Sequence, residues 1–154
     1  MKITFLKSTI KDATIIYQLC KQLIDKYENI DGIDYEKVLL WVRKKLERSI
    51  DEYTTIYADG KKAGYYHFYK NEDGEYELDD LYIFEEFQCR GIGSAVIKKC
   101  CSLVDSPVMF YVFIKNERAI ALYKRLGFEV IKTVGDSRYI MSNKHNFDKV
   151  QNNA

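Results

Sequence analysis

The chain has no run of about 18 consecutive apolar residues, the length a helix needs to cross a bilayer. Its first residues, MKITFLKSTIKDA, also lack an apolar stretch of signal-peptide length. Neither sign of charge dominates: 24 Lys and Arg oppose 23 Asp and Glu, for a formal net charge of +1. No global field is left to draw nucleic acid or an anionic membrane surface. The four cysteines, Cys20, Cys89, Cys100 and Cys101, form no CxxC pair, and His67 and His145 lie far apart, so no metal site is expected. One proline, Pro107, and eight glycines are too few for a flexible linker, and the chain carries no internal repeat. These absences point to a soluble, cytoplasmic protein with reduced thiols and neither a nucleic-acid nor a membrane partner.

What is present fits one domain over residues 1–154, since 154 residues with 47% hydrophobic content can bury one real core. Only the polar end, 143–154, reads as a frayed tail. After a first strand at Lys2–Leu6, Thr9 and Asp12 stand at capping-box spacing before the helical stripe Ile16, Leu19, Leu23 and Tyr27. A second stripe follows through Tyr35, Val38, Leu39, Val42, Leu46 and Ile50. Arg43, Lys44, Lys45, Glu47 and Arg48 lie largely on its other side, which reads as a solvated face or as a surface that meets an anionic ligand.

Three strands then alternate with turns: Thr54–Ala58, Ala63–Lys70 and Tyr76–Phe84, separated by Asp59-Gly60 and by Asn71 to Gly74. They suit an antiparallel meander. Helical spacing returns over Gly91–Val104, and Val108–Ile114 is apolar enough for a buried strand, which makes a parallel β-α-β crossover. Asn116 is placed to cap a short helix that stops at Gly127, and Glu129–Val134 with Arg138–Ser142 close a hairpin. The fold class is α+β, a mixed central sheet that is mostly antiparallel, with one central parallel crossover and flanking helices.

The stretch Gln88-Cys89-Arg90-Gly91-Ile92-Gly93-Ser94 puts two glycines where a helix begins. Unpaired amides and the helix dipole make such an end attractive to anions, and glycines permit close approach. The same residues also suit a plain tight turn. A Walker A loop is excluded because no lysine-serine/threonine pair follows at its spacing, and Val96 stands where a dinucleotide fingerprint needs its third glycine.

Two motifs together carry a family resemblance. The loop fits Q/R-x-x-G-x-G/A behind the strand Leu81-Tyr82-Ile83, and Asn116 to Phe128 reads as an asparagine-capped helix with A-x-x-x-Y that ends in Gly-Phe. In this the chain resembles the GNAT superfamily of N-acetyltransferases, over most of the stretch from Tyr53 to Met141. The resemblance implies acetyl-CoA as co-substrate, in a cleft where two central parallel strands splay. Its pyrophosphate would lie on the amides of Gln88, Cys89, Arg90, Gly91, Ile92, Gly93 and Ser94. Its pantetheine arm would pair with backbone around Leu81, Tyr82 and Ile83, adding to the strand edge. Cys89 departs from the expected loop residues, at a place where backbone does the binding. Asn116 and Tyr123 complete the implied cofactor site, with Tyr123 as the acid that protonates the coenzyme A sulfur.

An alkylammonium has a pKa of about 10.4, so direct attack on the thioester also needs help in removing a proton. Glu77, six residues before Ile83 on the same strand, is where relatives carry a glutamate base, and Asp79 shares its face. Asp80 faces away unless a bulge intervenes. The stretch from Glu72 to Glu86 holds eight acidic residues and no Lys or Arg. It reads either as a solvated hairpin or as a surface that attracts a cationic amine. His67, among four aromatic neighbours, suits packing better than catalysis, and Cys89 lacks an adjacent base to serve as an acyl carrier. The expected activity is acetylation of a primary amine on a small cationic metabolite in a ternary complex. The alternatives are a protein or peptide acceptor, or a non-catalytic CoA-binding module, and the apolar strands near the C-terminus are compatible with a homodimer.

Overall fold

A computed structural model describes residues 1–147; of the expected tail, residues 148–154 lie outside the described residues, while 144–147 are helical. The order of elements is β1 (Ile3–Lys7), α1 (Ile10–Tyr27), α2 (Tyr35–Ser49), β2 (Tyr53–Ala58), β3 (Lys61–Lys70), β4 (Tyr76–Ile83), α3 (Ile92–Ser102), β5 (Val108–Phe113), α4 (Glu117–Arg125), β6 (Glu129–Val134) and β7 (Arg138–Ser142). The strands form a mixed seven-stranded sheet in the order β1-β2-β3-β4-β5-β7-β6. The expected meander, crossover helix and closing hairpin are all present. The chain divides into two compact units, one from Met1–His67 with Asp80–Ile92, the other from Phe68–Asp79 with the chain from Gly93 onward.

In the first unit, β1, β2 and β3 are antiparallel neighbours, with a bulge between Ile56 and Tyr57. Of the expected α1 stripe only Ile16 is buried, while Leu19, Leu23 and Tyr27 are half-buried; the buried face runs through Ile16, Cys20 and Ile24 at four-residue spacing, and in α2 Val42 and Leu46 of the expected stripe are buried. Each such aliphatic side chain contributes about 1.5–3 kcal/mol on burial. Asp12 does more than its capping position implied. Its Oδ2 accepts from the Thr9 amide at 2.8 Å, while its Oδ1 takes the Tyr65 hydroxyl at 2.8 Å and Lys62 Nζ at 2.9 Å. Burial pushes the Asp12 pKa up, but these donors together hold it below the usual carboxylate value.

In the second unit β4 and β5 run parallel, in the register Tyr76↔Val108 and Glu77↔Met109, and β5 pairs antiparallel with β7. Buried Phe110 of β5 packs on Tyr123 and Phe128, with ring centroids 4.2 and 4.6 Å away. Helix α3 is shorter than its apolar spacing suggested. At its end the Leu103 amide donates back to the Cys100 carbonyl, and the Ser102 hydroxyl donates to the Lys99 carbonyl. A hydroxyl that competes for backbone in this way favours termination, five residues ahead of Pro107.

Candidate active site

The end of β4 brings Leu81, Tyr82 and Ile83 to half-buried positions in the first unit. The Phe84 amide then donates to the Ala63 carbonyl at 2.8 Å, and one 3-10 turn, Glu85–Phe87, leads into the glycine loop. Gln88 Nε2 donates back to the Ile83 carbonyl at 3.0 Å, which ties loop to strand. Within the exposed segment Gln88 to Gly91, Cys89 has φ +63° and Gly91 φ +79°. A Cβ on Gly91 would meet nothing within 4 Å, so it is the backbone angle that calls for glycine there. Cys89 holds the same left-handed conformation with a side chain, at a cost of roughly 1–2 kcal/mol. Helix α3 starts at buried Ile92, with Gly93 and Ser94 half-buried in its first turn. Left-handed residues that alternate before a helix turn amides toward one side, the backbone chemistry that receives phosphate.

The acidic residues of β4 do not behave alike. Asp80 has φ +48°, a left-handed conformation inside the strand, so the regular extended backbone is interrupted there. Its Oδ2 accepts from the Tyr53 hydroxyl and from Lys45 Nζ at 3.3 Å, and its Oδ1 from the Tyr82 hydroxyl at 3.0 Å. The Tyr82 oxygen is also 2.9 Å from Cys20 Sγ. Burial raises the Asp80 pKa, yet the Lys45 charge and the two phenols hold it below the ordinary value. Such a carboxylate is a poor base. Lys45 corrects the sequence reading of a solvated basic face: its side chain is only 16% exposed. It lies three residues after Val42 and beside Leu46, at the border of the apolar stripe, and that adjacency was the one available signal. Below Asp80, the Tyr53 ring stacks on buried His67 at 4.5 Å, and His67 Nε2 lies 2.9 Å from Glu52 Oε2. The sequence reading of His67 as a packing residue fits this setting.

In the second unit Glu77 is buried and accepts from the Tyr69 hydroxyl at 2.9 Å and from Asn71 Nδ2 at 3.4 Å. Asn71 also turns the β3–β4 connection, its Oδ1 accepting from the amides of Asp73 and Glu75. Asn116 caps α4, its Oδ1 accepting the Ala119 amide at 3.2 Å. Tyr123 follows two turns later, half-buried against Phe110. Desolvation pushes its phenol up to about 12. Among the described residues no group of three or more His, Cys, Asp or Glu is arranged to hold a metal ion, and no helix is long and apolar enough to cross a membrane.

Residues 16–128 match the model of the acetyltransferase (GNAT) family. The chain belongs to the GNAT family. An uncharacterized N-acetyltransferase of Methanocaldococcus jannaschii is 27% identical over 139 residues, which cover 80% of this chain. The chain spans 58% of that relative's length. Among solved structures, the Thermoplasma acidophilum Paia N-acetyltransferase in complex with coenzyme A has a TM-score of 0.66 at 22% identity, covering 94% of this chain and 99% of its own. Arabidopsis thaliana Naa50, in complex with the bisubstrate analogue CoA-Ac-MVNAL, has a TM-score of 0.58 at 19% identity, covering 92% and 98%. At these identities the structures speak to the fold. Within this GNAT chain, both sequence motifs are formed as local structure: the loop as a left-handed turn into α3, the second as a capped helix that carries Tyr123.

Proposed function

We propose that this GNAT chain moves the acetyl group of acetyl-CoA to a primary amine of a small cationic metabolite, by direct attack in a ternary complex. The observation that carries the reading is Tyr123, a phenol on an asparagine-capped helix that is protonated at neutral pH and that desolvation lifts further. Support for acetyl-CoA comes from the loop, whose left-handed Cys89 and Gly91 leave exposed backbone before a helix N-terminus, as a pyrophosphate requires. The donor would be held by Leu81, Tyr82 and Ile83 along its pantetheine arm, and by Gln88 to Ser94 at its phosphates.

Bound acetyl-CoA supplies an electrophilic acyl carbon and a thiolate leaving group. As the N–C bond forms and the C–S bond breaks, the amine must lose a proton and the sulfur must gain one. Tyr123 serves the sulfur. A phenol near 12 facing a thiol whose ordinary pKa is about 8.5 makes full transfer uphill by about 5 kcal/mol. Tyr123 therefore acts chiefly as a hydrogen-bond donor that steadies the developing thiolate; the proton that finally reaches sulfur passes through it from solvent, while the amine proton leaves by the water to Glu77. Glu77 is the proposed acceptor of the amine proton, through water. Tyr69 and Asn71 hold the Glu77 carboxylate in place through hydrogen bonds to its two oxygens. Asp79 is the remaining half-buried carboxylate on the strand.

The exposed acids Glu72, Asp73, Glu75, Glu85 and Glu86 support a cationic acceptor, since they carry negative charge before and after β4 in the chain. A peptide acceptor is the second reading, favoured by the bisubstrate analogue in the Arabidopsis relative. Mass spectrometry on a panel of polyamines, aminoglycosides, amino acids and short peptides, each with acetyl-CoA, separates the two. A product on one class, at least tenfold slower with Tyr123→Phe, is expected. That factor corresponds to about 1.4 kcal/mol of transition-state stabilisation. Products with peptides alone would replace the metabolite reading, and coenzyme A binding without any product would favour a non-catalytic module.

A further inference from the structure

Strand β4 makes an abrupt step just before the three residues assigned to the pantetheine arm. At φ +48°, Asp80 leaves the extended conformation within a strand, a state that persists only when its surroundings over-determine it. The surroundings are three donors from separate places in the fold: Lys45 of α2, the Tyr53 hydroxyl of β2 and the Tyr82 hydroxyl two residues on. Tyr82 gives its proton to Asp80, so the Cys20 thiol of α1 is the donor in the 2.9 Å contact with the Tyr82 oxygen.

Beyond the step, the strand is pinned twice more. An ideal Cβ on Gly64 of β3 would lie 1.9 Å from the Tyr82 carbonyl oxygen, so the two backbones meet in a way only glycine permits. Downstream, the Phe84 amide and the Gln88 side chain fix the end of the segment through Ala63 and the Ile83 carbonyl. A buried ion pair adds little net stability compared with apolar packing, but it does impose one geometry on the groups that share it. Both oxygens of Asp80 are committed in this way, and its pairing with Lys45 makes the carboxylate a holder of backbone.

We propose that Asp80 is a positioning residue for acetyl-CoA: clamped by Lys45, Tyr53 and Tyr82, it sets the left-handed step of β4 that presents Leu81, Tyr82 and Ile83 to the pantetheine arm. The proposal rests on the acetyl-CoA reading given above. It makes Lys45, on a helix outside the strand and loop assigned to the cofactor, a determinant of cofactor affinity.

Coenzyme A titrated calorimetrically into the parent, Asp80→Asn, Lys45→Met, the double variant and Lys45→Arg provides the test, with thermal melting of each. Each of the first two substitutions is expected to weaken coenzyme A binding at least tenfold, about 1.4 kcal/mol. The double variant should bind no more than about threefold more weakly than either single one, because both act on one clamp. Lys45→Arg, which keeps the charge, should recover most of the affinity. Lowered melting temperatures with coenzyme A affinity within twofold of the parent would overturn the proposal and leave the cluster a purely stabilising role. The same holds for additive losses in the double variant. Should Asp80→Asn fail to fold, the Lys45→Met and Lys45→Arg pair decides. A parent that binds no coenzyme A would overturn the acetyl-CoA reading and this proposal together, an outcome distinct from unchanged variants of a binding parent.

Discussion

Single residues decide two matters here. Tyr123 has a phenol that desolvation lifts to about 12, so it remains a donor throughout the range in which an amine loses its proton. The pH profile of kcat/KM for the acceptor should therefore rise as the amine deprotonates and show no falling limb from Tyr123 below about pH 11. A descending limb centred near pH 9 would mean that another acid serves the sulfur. Gly64 is the second case. With Tyr82 oxygen 1.9 Å from the place of its missing Cβ, even a methyl group collides with backbone, which cannot rotate away as a side chain can. Gly64→Ala is expected to cost roughly 3 kcal/mol, at the upper end for overpacking, readable as a lower urea midpoint at unchanged m-value. Nothing in the sequence marked this glycine. A lone glycine inside a strand pattern announces only that something approaches, and its partner, Tyr82, is 18 positions away in the chain.

At the scale of elements, sequence and structure agree most closely where periodicity and punctuation coincide. Helix α1 was legible from Thr9, Asp12 and a stripe ending at Tyr27, and α4 from Asn116 and Gly127, because caps and apolar spacing are local chemistry. The Asn116 side chain accepts the Ala119 amide, so in this structure its first role is to hold α4 and with it Tyr123. Asn116→Ala should cost about 1 kcal/mol of stability, while Asn116→Asp, an equally good cap, should cost almost nothing. If Asn116→Asp instead lost affinity for coenzyme A without losing stability, a direct cofactor contact would be indicated, as the family resemblance implies. The step in β4 was not legible, since a left-handed aspartate leaves no mark in an apolar pattern. Lys45 was misread for a related reason. A long side chain at the border of an apolar stripe can snorkel outward or turn in toward a buried carboxylate, and only the partner decides.

For the whole molecule, charge is balanced in sum but uneven in place, and the uneven places set the response to pH. His67 is buried, and desolvation outweighs the pull of Glu52 to lower its pKa below the ordinary 6.5. Asp12 and Asp80 are likewise lowered below 3.8. A group whose folded pKa is depressed binds fewer protons folded than unfolded. The stability it contributes is complete above its unfolded pKa and is lost as pH falls through the folded one. Stability should then decline in two stages, first below about pH 6.5 as His67 resists protonation, then below about pH 4 as the two aspartates take up protons. All three lie in the first unit, so amide exchange should report earlier acid opening in residues 1–67 than in 93–147. Alkali acts with the opposite sign on two tyrosines: burial raises the phenols of Tyr65, in the first unit, and Tyr123, in the second, above 10. What they contribute is complete below pH 10 and is lost as pH rises through their folded values. Urea midpoints measured from about pH 2 to 11 test both limbs. His67→Gln should flatten the decline between pH 6.5 and 5 and leave the alkaline limb intact. An unaltered decline in that variant would assign the first stage to other groups and remove His67 from the account of acid sensitivity.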